Sequence, residues 1–320
     1  PGPGRPVCRL RHIGRNQGRP DERVRHLLFT VAEVRDFGGL PDLAFDPLND
    51  HCSGMSETPA RSISVGLFAT CLVDLTRPSV GFASAKLMED AGCRVSVPQA
   101  QSCCGQPAYN AGDNADAAAI AANVIGAFEG FDYVVAPSGS CAGMIKHHFV
   151  GLFEDDPVMA ARAGALSAKT HELISFLTDV LQVDGIECAY DGTVTYHDSC
   201  SSLREMKIKD QPRALLSRVS GLSLKESEES ETCCGFGGLF CVKCPAISGD
   251  MVDAKVDDIL ATGADTLLAG DLGCLMNMAG RLHRRGSEVR VRHIAEVLAG
   301  MTDGPAIGAP APLDTDKDTN

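Results

Sequence analysis

The sequence predicts an α/β protein built from two repeated βαβ-type (Rossmann-like) domains with parallel sheets, related by a pseudo-two-fold axis. Three observations predict it. The first is a cysteine pattern that occurs twice: Cys71, Cys103-Cys104-Gly105 and Cys141, then Cys200, Cys233-Cys234-Gly235 and Cys274. The two sets are offset by 129 to 133 positions, which marks an internal duplication. The second is a regular alternation of short apolar runs with helical stretches, as βαβ units require. The third is that the cysteines follow the carboxyl ends of the apolar runs, the edge at which open α/β sheets place ligands.

In chain order, Ile63–Phe68 is an apolar strand leading into Ala69-Thr70-Cys71. Pro78–Ala91 is helical, with proline in its first turn and Gly92 just past its end. Cys93–Val97 is a second strand that runs toward the Cys103-Cys104 loop, and Asn114–Glu129 is an alanine-rich helix. Tyr133–Ala136 is a third strand, ending in Pro-Ser-Gly-Ser-Cys141, after which a helix runs from Cys141 to Phe149. Two more helical stretches fill 157–182. The second half repeats the scheme. Thr193–Tyr196 is a strand before His197-Asp198-Ser199-Cys200, Pro212–Val219 a helix, and Leu222–Lys225 a strand before Cys233-Cys234. Ala246–Ala261 is a helix and Thr266–Ala269 a strand before Cys274, followed by a strand at Glu288–Val291 and a helix at Ile294–Leu298. The repeats are therefore expected at 62–190 and 191–300, with a disordered, Pro- and Asp-rich tail over 301–320.

Residues 1–54 differ from the rest, with eight arginines, no lysine and no sustained period. A natural start at Met55 is expected, with 1–61 a non-native or disordered leader, and Cys8 and Cys52 receive no role. A net charge of −13 argues against nucleic acid or an anionic membrane as partner. No apolar run approaches the ~18 residues of a membrane helix, and no secretory signal is expected. Fourteen cysteines without such a signal read as metal or redox chemistry rather than a disulfide framework.

Thiolates suit iron–sulfur clusters, zinc and copper(I). Neither set shows the short C-x₂₋₄-C knuckles usual for structural zinc. Adjacent cysteines project in different directions, which suits a cluster of several irons better than one tetrahedral ion. The candidate ligands are thus Cys71, Cys103, Cys104 and Cys141, then Cys200, Cys233, Cys234 and Cys274. Cys241 and Cys244 form a C-x-x-C without a twin in the first half, and serve as extra ligands, as a redox dithiol or as neither. Cys93 and Cys188, single and unrepeated, read as small buried hydrophobes. His197, three residues before Cys200, is placed to tune a potential or move a proton. His147, His148 and His293 read as satisfied polar residues on helices. Gly-Phe-Gly-Gly at 235–238 lacks the strand and helix context of a dinucleotide fingerprint.

The repeated C-x(~31)-C-C-G-x(~36)-C resembles the CCG (cysteine-rich) domain of iron–sulfur oxidoreductases, which occurs in heterodisulfide reductase, the glycolate oxidase iron–sulfur subunit and lactate-utilisation proteins. Stretches such as FATCLVDLTRP, QSCCGQPAYNAG, YVVAPSGSCAGMIKH, VTYHDSC and TCCGFGG are most similar to the lactate-utilisation branch, over residues 62–300. The resemblance implies a cytoplasmic electron-transfer subunit of an L-lactate-oxidising complex carrying two [4Fe–4S] clusters. The eight cysteines named above would be the ligands. The implied partners are a ferredoxin-type iron–sulfur subunit and a further lactate-utilisation subunit. The fuller family motif ends each half in C-x-x-C, and Ser138 and Asp271 stand where the earlier cysteine would be, so each half offers four thiols and not five. Two other readings stay open at this point: a heterodisulfide-reductase-like thiol redox subunit, and a zinc- or thiol-stabilised protein without catalysis.

Overall fold

The protein, seen in a computed structural model, is described over residues 62–309 except 184, 185 and 187. The expected leader and start site lie outside the described residues. Two four-stranded parallel sheets carry the fold, with strand orders β2-β1-β3-β4 and β6-β5-β7-β8. The strands are β1 (Ser64–Leu67), β2 (Arg94–Ser96), β3 (Tyr133–Ala136) and β4 (Thr170–Glu172), then β5 (Ala189–Tyr196), β6 (Ser220–Leu224), β7 (Thr266–Ala269) and β8 (Arg290–His293). The second order is the first advanced by four strands, so the duplication read from the cysteines is a duplication of topology.

Parallel strands need crossover connections. Helices Pro78–Asp90, Asn114–Phe128 and Pro157–Ala168 supply them in the first repeat, and Asp210–Leu216, Pro245–Ala261 and Leu272–Arg284 in the second. Strands covered on both faces read as unbroken apolar runs. Accordingly β1 and β7 are buried along their whole length.

Three apolar clusters hold the protein together. One belongs mainly to the first repeat, around Phe68, Phe128 and Phe149. A second belongs mainly to the second repeat, around Val256, Leu267 and Leu275. The third joins the two, since Val65, Leu67 and Met88 pack in one cluster with Val194, Leu216 and Ile294. The repeats thus share a core rather than hanging from a linker.

Reciprocal contacts reflect the pseudo-two-fold. Helix Gly139–Gly143 packs on helix Cys200–Arg204, and its counterpart Leu272–Arg284 packs on Cys71–Thr76. The N-caps of two equivalent helices meet: Ser138 Oγ donates to Asp271 Oδ2 at 3.0 Å.

The structure differs from the sequence reading at a few elements. Thr170–Glu172, expected within a helical stretch, is an edge strand paired with β3. Its three residues are too few to show a period, and the side chains of Thr170 and Glu172 are buried with local partners: Thr170 Oγ1 donates to Leu166 O and Glu172 Oε2 accepts from Ile174 N. Short helices begin at Cys71 and Cys200, where no helix was expected. The eighth strand lies at Arg290–His293, shifted from Glu288–Val291. The tail expected to be disordered from Met301 packs in part: Ile307 is buried in the second cluster and its N–H donates to Val291 O at 2.8 Å. Its apolar side chain covers the outer strand of the second sheet.

Candidate metal centre

Six short pieces of chain position the eight repeated cysteines, and they do so identically in both halves. Cys71 opens a helix capped by Thr70, whose Oγ1 accepts from Val73 N at 3.3 Å. Cys200 opens the equivalent helix, capped by Ser199, whose Oγ accepts from Ser202 N at 3.4 Å. Cys141 and Cys274 lie in the first turns of helices capped by Ser138 and Asp271. The side chain of a capping residue satisfies one of the free N–H groups of the first turn, which fixes the direction in which each helix leaves its strand.

The adjacent pairs sit on the loops after β2 and β6. Each loop turns at a glycine, Gly105 and Gly235, both with φ of +80°. A side chain there is strained by the left-handed backbone. At Gly235 a Cβ would also come within 2.8 Å of Ser248 O. The glycine after each cysteine pair is therefore dictated by the turn that presents the thiols.

The result is two sets of four thiols. In the first, Cys71 and Cys104 both donate to Cys103, and Cys104 also faces Cys141. In the second, Cys200 and Cys234 both donate to Cys233, and Cys234 also faces Cys274. One thiol in each set is set to ionise. Hydrogen bonds from Cys104 and Cys71, with the Gly105 N–H, pull Cys103 down to about 3. Hydrogen bonds from Cys200 and Cys234 pull Cys233 down to about 2, and Gly235 N donates to its Sγ at 3.4 Å. The neighbours move the other way: donating to the thiolate, together with burial, pushes Cys71 and Cys200 up. A metal replaces those shared protons, since thiolate and not thiol is the ligand form. The neighbouring sulfurs of each set are candidate donors for a soft metal or an iron–sulfur cluster; among the described residues the compact group of possible ligands is His197, Cys234 and Cys274.

The remaining sequence candidates separate from this group. Cys241 Sγ donates to Gly238 O at 3.1 Å, and Cys241 and Cys244 are half-buried free thiols around the short helix Phe240–Lys243. Cys93 packs in the shared core and Cys188 against it, and burial raises both thiols. His147 and His148 lie in a π-helical turn, with His148 stacked on Tyr109 at 5.0 Å. His293 is not on a helix but ends β8; its Nδ1 accepts from Ala295 N and its Nε2 lies 3.2 Å from Pro137 O of the other repeat.

His197 is brought to the second set. A ring nitrogen of His197 and the sulfurs of Cys234 and Cys274 all lie within 4.8 Å of one another, all three residues buried. Burial pushes the imidazole down to about 3, so it is neutral. Sequence reasoning missed Ser138 and Asp271 as a contact. Asp271 Oδ2 accepts from Ser138 Oγ at 3.0 Å, Ser140 Oγ at 2.7 Å and Ser140 N at 3.2 Å. The available signal was their shared place, three residues before the last cysteine of each set. Glu172 was also missed: burial raises it to about 8 despite two backbone N–H donors.

Among the described residues, no helix is long and apolar enough to cross a membrane. The cysteine-rich CCG domain matches the chain twice, over 65–146 and 194–279. Lactate utilization protein A of Bacillus cytotoxicus is 48% identical over 236 residues, which is 74% of this chain and 98% of that protein. Lactate utilization protein A of Bacillus cereus strain G9842 is 46% identical over the same shares. The crystal structure of a hypothetical protein from Helicobacter pylori shares the fold, with a TM-score of 0.53 at 11% identity over 75% of this chain and 49% of the other.

Proposed function

The chain belongs to the cysteine-rich CCG domain family, and on that premise we propose that it is an iron–sulfur electron-transfer subunit of a multi-subunit system that oxidises L-lactate to pyruvate. Its relatives of the Bacillus genus carry lactate utilisation in their name, over nearly their whole length. The observation that carries the reading is that equivalent capped helices and glycine turns bring the same four thiols together in each repeat. Cys71, Cys103, Cys104 and Cys141 would hold one cluster and Cys200, Cys233, Cys234 and Cys274 the other, within repeats taken as 62–190 and 191–300. Cys241 and Cys244 are left out of both ligand sets. When bound, the clusters supply one-electron transfer steps. The chain's own residues hold them: the capped helices fix Cys71, Cys141, Cys200 and Cys274, and the Gly105 and Gly235 turns present the pairs. Burial in the surrounding apolar clusters keeps water from the sulfurs of Cys104 and Cys234. The shared core packs the two repeats that carry the sites against each other.

A ferredoxin-type iron–sulfur subunit and a further lactate-utilisation subunit are the partners of this reading, the first exchanging electrons with this chain. The test is to mix the anaerobically purified full chain with partner subunits and L-lactate and to follow the visible absorption of the centres. Bleaching that needs both lactate and a partner is expected. Centres that stay oxidised with every partner present would overturn the lactate assignment.

A further inference from the structure

The second thiol set has a donor that the first lacks. His197 is the third residue before Cys200, and Phe68 is the third before Cys71. The backbone treats the two alike: Phe68 N donates to Val135 O at 2.8 Å, and His197 N donates to Leu268 O at 2.9 Å. Val135 and Leu268 hold equivalent places in β3 and β7. The side chains then diverge. Phe68 is fully buried in an apolar cluster that contains Cys104 and Cys141. His197 is 1% exposed, yet neither Nδ1 nor Nε2 has a hydrogen-bond partner.

A buried polar atom without a partner is costly, at about 1–3 kcal/mol. A phenylalanine fits the same position in the first repeat, so packing alone does not call for an imidazole. The backbone beside the ring is anchored. Asp198, next in the chain, takes a bidentate pair from Arg213 at 2.9 and 2.8 Å, and Asp198 N donates to Ser230 O. A ring nitrogen of His197 lies within 4.8 Å of the sulfurs of Cys234 and Cys274, in a group compact enough to hold a metal ion.

We propose that His197 is a nitrogen ligand of the second metal centre, beside Cys234 and Cys274, so that the two centres differ in chemistry: thiolate alone in the first repeat, thiolate and imidazole in the second. The proposal rests on the reading of the second thiol set as a metal centre. His197 would then take an iron in place of one of the four thiolates of the second set, and imidazole in place of thiolate lowers the negative charge on a cluster and raises its potential. The second centre is then the more oxidising of the two, and electrons entering the first repeat run toward it.

The test uses the full chain, produced with ¹⁵N-histidine, loaded anaerobically with iron and sulfide and examined by pulsed EPR in the reduced state. A strong nitrogen coupling that changes with the label is expected. It should persist in Cys104→Ser, which removes the first centre, and vanish in His197→Phe, which copies the first repeat. The potential of the second centre should fall in His197→Phe toward that of the first. His197→Gln gives a second variant, and the label on the unsubstituted chain does not depend on either folding. Iron for two centres without a histidine coupling, or a coupling that survives both variants, overturns the ligand and leaves the two-centre reading intact. A chain that takes up no iron in its second set overturns both.

Discussion

Three equivalent positions separate the two repeats: Phe68 and His197 before the first cysteine of each set, Ser138 and Asp271 before the last, and Glu172 and His293 at the ends of β4 and β8. The backbone is the same at each pair, down to the N-caps and the strand contacts. The side chains are not. The first set lies against an apolar ring and a neutral hydroxyl, and the second against an imidazole and a carboxylate. The charge of Asp271 is felt in the thiols. For Cys274 the hydrogen bond with Cys234 pulls downward, but burial and the Asp271 charge outweigh it and push the thiol up. The difference teaches that duplication copied the frame that gathers four sulfurs, while the polarity around each group of four was set separately.

The most disruptive way to probe this comparison is to remove a thiol from one repeat. Cys104→Ser is expected to lose about half of the iron with the second spectrum retained, and Cys234→Ser the reverse, since each set of thiols lies within one repeat. Iron analysis beside EPR reads the outcome. Loss of both spectra from either substitution would mean one shared site.

Glu172 and His293 give an opposed pair in pH. Burial raises Glu172 to about 8, so the fold favours its neutral form; that stability is full below about 4.5 and is lost as pH rises through about 8. His293 is also held neutral by burial, but its pKa is lowered, so its contribution is lost as pH falls below about 6.5. Denaturant midpoints measured from pH 5 to pH 9 should show Glu172→Gln flattening the alkaline side, by up to about 4 kcal/mol. His293→Gln should flatten the acid side. Parallel curves for parent and variants would remove the contrast.

Asp271→Ala should cost about 1–3 kcal/mol, because it strips partners from Ser138, Ser140 and Gly273 together. Ser138→Ala should cost about 1 kcal/mol, as the loss of one cap and one partner. Equal losses by chemical denaturation would show that the contact is carried evenly by both repeats. The smallest effect is expected from Cys241→Ser with Cys244→Ser, which should leave iron content unchanged in a metal assay; a clear loss would add those thiols to the second centre.

Much of this was legible in the sequence because the signals were periodic or repeated. The strand–helix alternation marked both parallel sheets, and Tyr133–Ala136, Thr266–Ala269 and Ile294–Leu298 fall where the apolar runs placed them. The doubled spacing singled out the eight cysteines that the fold gathers into two sets. Thr170–Glu172 was hidden because three polar residues, two of them buried, carry no strand pattern; their burial is decided by the neighbouring strand. The Ser138–Asp271 contact spans 133 residues, and nothing local to either announces it. His197 was noticeable for its place before Cys200, but its approach to Cys234 and Cys274 needs two loops from elsewhere in the repeat.

The central claim is that one frame, used twice, gathers two independent metal centres. Counting iron, acid-labile sulfide and zinc in the anaerobically purified full chain tests it most directly. About eight iron and about eight sulfide per chain are expected, as two four-iron clusters require. About four of each, or zinc without sulfide, would contradict it.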